Sequence, residues 1–105
     1  MDASTGGADA RVADVEIDKG RVLELLRRCQ ECNYFEMLGV DKDATRTEVE
    51  EALRQLRTRV TGQRFEDPAL QDIRPALHEI TAILQECQAV LLTDTLRQRY
   101  RSALP

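Results

Sequence analysis

Large apolar residues recur at three- and four-residue steps in two stretches, Val49-Ala52-Leu53-Leu56-Val60 and Leu77-Ile80-Leu84-Cys87-Leu91. With 3.6 residues per turn, that spacing gathers each set on one side of a helix. A helix with one apolar stripe must bury it against another element, and here each stripe can cover the other. Ile83 and Val90 fall on the flank of the second stripe. No segment alternates apolar and polar residues over a strand's length, and no β-rich run appears, so strands are not expected. The sequence therefore predicts an all-α domain built on two main antiparallel helices.

Local punctuation sets the boundaries. Thr45 and Glu48 have capping-box spacing, each side chain satisfying a backbone N–H that the first turn leaves free. Gly62 is expected to end that helix. Upstream, Tyr34–Leu38 can form a short helix stopped by Gly39, which suits the left-handed position after a helix end. Val40 and the polar turn Asp41-Lys42-Asp43 follow. Asp67-Pro68 is a cap with proline in the first turn, and the long helix is expected from about Pro75. Thr93-Asp94 interrupts it. A last short helix is expected to turn Leu96, Tyr100 and Leu104 inward and Arg97, Arg99 and Arg101 outward.

The N-terminal third divides differently. Residues 1–16 are small and polar, too poor in large apolar side chains to offset their ordering entropy, which predicts a disordered leader. From Asp18, Val22, Leu25, Leu26, Cys29 and Cys32 lie on one helical face. This predicts an extension helix over 17–32, capped by Asp18 and weakened by Gly20, ahead of a helical domain over 33–104.

Composition closes off several functions. A chain of 105 residues forms one domain at most. The net charge of −4 argues against broad nucleic-acid binding, and 4% aromatics with no Trp leaves no stacking platform. No apolar run approaches the ~20 residues of a membrane span, and the opening residues do not resemble a signal peptide. Three cysteines in such a chain read as reduced thiols in the cytoplasm. No Gly-rich phosphate loop or nucleophile motif is present, and the only histidine, His78, has neither a second histidine nor a paired acid, so no enzymatic activity is expected.

Cys29-x-x-Cys32 has metal or redox spacing, and Cys87 with His78 would complete four zinc ligands. All three cysteines, however, fall on apolar stripes, where cysteine behaves as a small hydrophobe. A structural role is the stronger reading, with no metal and no cofactor.

Tyr34-x-x-Leu38-Gly39-Val40, followed by Ala44-Thr45-x-x-Glu48-Val49, resembles the first half of a J-domain, the module of DnaJ-type co-chaperones. Val90-Leu91 before Thr93-Asp94, then Arg97-x-x-Tyr100, resembles the family's later stop and basic helix. The likeness covers about residues 33–102. It implies a helical hairpin with short flanking helices and a chaperone or another J-protein as partner. In the family a His-Pro-Asp loop triggers ATP hydrolysis in a DnaK-class chaperone; here those positions are Thr61-Gly62-Gln63. Glu50 and Glu51 also stand where the family carries basic residues, although Arg54, Arg57, Arg59 and Arg64 remain. Glu50 and Arg54 have the spacing of a supporting i,i+4 pair.

The expectation is a degenerate J-like protein–protein interaction module that does not stimulate chaperone ATPase. Its candidate partner-binding residues are Arg54, Arg57, Arg59, Thr61, Gly62, Gln63 and Arg64. The alternatives are an active co-chaperone with an unconventional loop and a cysteine-based metal or redox domain.

Overall fold

A computed structural model describes the backbone of residues 2–105 and the side chains of residues 13–105 apart from Arg64. Among the described residues every regular element is helical: α1 (Asp2–Glu31), α2 (Tyr34–Leu38), α3 (Arg46–Thr58), two 3-10 turns (Gln63–Glu66 and Pro68–Ile73), α4 (Arg74–Leu91) and α5 (Asp94–Ala103). None of these helices is long and apolar enough to cross a membrane.

The two stripes meet as the spacing requires. Val49, Leu53, Leu56 and Val60 share one core with Leu77, Ile80, Leu84, Cys87 and Leu91. Thr45 accepts from the Glu48 N–H at 3.3 Å, and the Glu48 carboxylate accepts from the Thr45 N–H at 3.3 Å. Helix α3 ends at Thr58 rather than at Gly62, which lies four positions later in the loop.

Helix α2 has the same kind of box: Asn33 accepts from the Glu36 N–H at 2.9 Å, and Glu36 accepts from the Asn33 N–H at 3.2 Å. Gly39 stops α2 at φ 73°. Five residues are a marginal helix alone. Burial of Phe35 and Met37 holds it in place, and so does Tyr100, whose hydroxyl accepts the free Tyr34 N–H at 2.9 Å while the two tyrosine rings stack at 4.8 Å.

Three inward and outward assignments on α5 are corrected. Leu96 is 41% exposed, whereas the Arg97 side chain is only 12% exposed. Positions 97, 100 and 104 share the inward side, and Leu96 falls at its edge, about 40° beyond Tyr100 and about 100° from Arg97. Arg97 is useful there because its guanidinium donates to the Leu91 carbonyl at the end of α4 (2.9 Å) and pairs with Asp94 (2.8 Å). Arg97-x-x-Tyr100 thus ties α5 to α4 through one residue and to α2 through the other. Arg101 also turns back, donating to the Lys42 carbonyl at 2.5 Å.

The N-terminal boundary differs too. Met1 lies outside the described residues, and α1 begins at Asp2, passing Asp18 and Gly20 without a break. Asp18 therefore lies in the helix interior and not at its N-cap. Of the stretch expected to be a disordered leader, residues 13–16 are helical, and Val15 already packs against the core one heptad before Val22. Helix α1 runs through Gly20 although glycine costs a helix interior roughly 1 kcal/mol.

The 63–73 segment supplies core that the helical stripes do not show: Phe65, Leu70 and Ile73 are all buried. Its second 3-10 turn starts as the sequence predicts, with Asp67 accepting from the Ala69 N–H at 2.9 Å. The turn packs on α1, and Lys19 meets Asp72 at 3.1 Å. The extension helix and the 63–73 segment therefore support each other.

Candidate interaction surfaces at the end of helix α3

Past Thr58 the chain makes a tight exit. The Arg59 N–H donates to Leu56 O and the Val60 N–H to Arg57 O, both at 3.1 Å, which drops Val60 into the core. Thr61 donates through its hydroxyl to Arg57 O at 2.9 Å, satisfying a terminal carbonyl of the helix. Gly62 then adopts φ 121°. Its carbonyl accepts from the Phe65 N–H at 3.1 Å, closing the first 3-10 turn. A Cβ at Gly62 would meet nothing within 4 Å, so the glycine is required by its backbone angle and not by crowding.

This exit splits the candidate residues between two faces. On one side, a cleft of about 630 Å³ runs between α3 and α4, with Arg57, Thr61, Leu84 and Gln88 along it. A smaller cleft of about 330 Å³ adjoins it beside Glu50, Arg54 and Thr58. The cations here are satisfied by their own chain. Arg57 donates to Gln88, crossing from α3 to α4. Arg54 grips Glu51 through two hydrogen bonds, at 2.5 and 3.1 Å, and Arg46 holds Glu50 at 3.0 Å. The expected Glu50–Arg54 pair is not formed: Arg54 pairs with Glu51 and Glu50 with Arg46. Hydrogen bonding to Arg54, and then to Gln55, holds the Glu51 carboxyl below its ordinary range.

On the other side, a groove of about 580 Å³ separates α1 from the Val60–Phe65 segment. Arg59 lines this groove, away from Arg57 and Arg54. Opposite it stand Arg21, Leu25 and Arg28 of α1. Gly62 and Gln63 are exposed between the two faces; the Arg64 side chain lies outside the described residues. The nominated set is therefore not one surface. Arg54, Arg57 and Thr61 belong to the cleft, and Arg59 belongs to the groove with α1 residues that the sequence did not nominate. The overlooked signal was Phe65, a large aromatic in a polar loop, which marks where that loop is pinned.

The cysteines do not converge on a metal geometry. Cys29, Cys32 and Cys87 are free thiols, and among the described residues no group of three or more His, Cys, Asp or Glu side chains is arranged to hold an ion. Burial pushes the Cys87 thiol up to about 12 and raises the Cys29 thiol as well. His78 is exposed on α4.

No family model, no curated protein and no solved structure matches the chain.

Proposed function

We propose that this chain is a degenerate J-domain-like interaction module that engages a protein partner without stimulating a DnaK-class ATPase. The observation that carries the proposal is the loop after α3. A short helix with a Leu-Gly-Val exit, a boxed second helix, a long helix and an Arg-x-x-Tyr helix follow one another in the family's order. Where that order calls for His-Pro-Asp, Thr61-Gly62-Gln63 offers neither an imidazole nor a carboxylate. Gly62 also sits at φ 121°, far from the −65° or so that a proline ring imposes.

The charges of α3 support the same reading. Arg46 and Arg54 face Glu50 and Glu51 at ion-pair distance. Exposed pairs of this kind contribute at most about 1 kcal/mol each, so they do not lock the arginines. They do cancel the positive field that would steer an acidic surface of a chaperone toward this helix. The free thiols favour a reducing, cytoplasmic setting.

The test is single-turnover ATP hydrolysis by a DnaK-class chaperone, with a conventional J-domain as positive control. No acceleration is expected at any ratio of this chain to chaperone. Acceleration at substoichiometric amounts overturns the proposal and identifies an active co-chaperone with an unconventional loop.

A further inference from the structure

The groove between α1 and the Val60–Phe65 segment differs from the α3–α4 cleft in its more apolar lining and in its unpaired rim cations. Its floor is apolar, with Val22, Leu25, Val60 and Phe65 all at least 92% buried beneath it. At one end Ile17 leaves 49% of its surface in solvent and adds apolar area to the lining. On its rim, Arg21 and Arg59 make no side-chain hydrogen bond or ion pair with another described residue.

Gly20 adds an independent observation. It lies in the interior of α1 and lines the groove. A glycine there weakens a helix by about 0.5–1 kcal/mol relative to alanine. Nothing in the fold demands it, since a Cβ would have no heavy atom within 4 Å. What the missing side chain does is leave that wall of the groove open to close approach from outside.

We propose that this groove docks a short acidic amphipathic segment of a partner protein. Aliphatic or aromatic side chains of the segment seat on Ile17, Leu25 and Phe65, with its backbone close to Gly20 and its carboxylates on Arg21 and Arg59. The volume of about 580 Å³ is in the range that holds several side chains. Charge selects the sign of the guest. The acidic groups on the rim are already engaged: Arg27 holds Glu24 at 2.5 and 3.1 Å, and Asp18 has a partner within the chain. Arg28 spends its guanidinium on the Glu36 carbonyl at 2.7 Å. The two arginines left over are exposed and line the same apolar groove, and a hydrogen bond from a guanidinium to a carboxylate is stronger than a neutral one. An apolar floor with two cations suits a peptide better than a polyanion, whose affinity needs many phosphate contacts.

The inference does not depend on the J-like reading and uses a different face from the α3–α4 cleft. It is tested by panning a randomised peptide display against the whole chain and measuring the enriched peptides by fluorescence anisotropy. Enriched sequences are expected to carry Asp or Glu around one or two large apolar residues. The double substitution R21E/R59E is expected to weaken them by roughly tenfold or more, with the loss reduced at high salt. Gly20→Leu fills the groove and should abolish binding, while the helical signal and melting temperature stay at or above those of the parent because leucine is the better helix former. Enrichment of basic or uncharged peptides, binding unchanged in both variants, or no enrichment overturns the proposal. So does concentration-dependent self-association that Gly20→Leu removes, since the occupant would then be a second copy of this chain.

Discussion

The two faces that flank the exit from α3 carry arginines of the same kind in opposite circumstances. On the α3–α4 side, Arg46, Arg54 and Arg57 each find an acid or amide on their own chain. On the α1 side, Arg21 and Arg59 find none among the described residues, although an apolar floor lies between them. An arginine with internal partners serves the fold first. One held at the rim of an apolar groove without a partner gives the fold little and is available to something else. The α3–α4 face is thus the more self-contained, and the face made by α1 and the Val60–Phe65 segment is the more open.

The strongest way to break the comparison is to remove what separates the faces. Phe65 is buried to 7% exposure, pins the loop and floors the groove. Phe65→Ala should cost about 3–5 kcal/mol, the usual result of emptying an aromatic site in a core. Urea unfolding will show it as a lower midpoint, and loss of the loop anchor should disturb both faces. A cost below about 1 kcal/mol would mean that the loop is not held from this position and that the faces are not coupled through it.

Gly62 comes next. Gly62→Pro demands φ near −65° where the chain has 121°, so the exit must be rebuilt. Strained single positions cost of order 1–3 kcal/mol, and the upper half of that range is expected in chemical denaturation. Gly62→Ala should cost about 1 kcal/mol, because open space around the Cβ leaves only the backbone term. Equal stability of the proline variant would show that a His-Pro-Asp loop fits this frame after all.

How much of this was legible beforehand depended on whether a signal was local. Thr45 and Glu48, Gly39, and Asp67 before Pro68 each act within a few residues, and each does in the fold what its spacing implies. The stripes from Val49 to Val60 and from Leu77 to Leu91 were equally readable, since period alone decides which side of a helix is apolar. Arg97 was misplaced because its burial is decided by the Leu91 carbonyl across a turn, which no pattern on α5 displays. Leu96 was misplaced with it. The site fared worse for the same reason. Arg57 and Arg59 are two positions apart, about 200° around a helix, and only the packing of α1 shows that one of them faces a groove. Asn33 and Glu36 were a missed local signal, a capping box as plain in the sequence as that of Thr45.

The smallest effects make the sharpest comparison. Arg57→Ala removes a part-buried contact that joins α3 to α4 through Gln88. It should cost about 1 kcal/mol, the ordinary net worth of such a hydrogen bond. Arg59→Ala removes an exposed side chain with no partner among the described residues, so stability should stay within about 0.5 kcal/mol of the parent. Parallel urea titrations of the two variants measure the difference directly. If Arg59→Ala proves as costly as Arg57→Ala, the guanidinium has a structural task and the groove is not the unsatisfied face. If both are neutral, the cleft's internal partners contribute nothing and the contrast between the faces disappears. A loss confined to Arg57→Ala leaves Arg59 as a charge that folding does not use, which is the condition a docking residue has to meet.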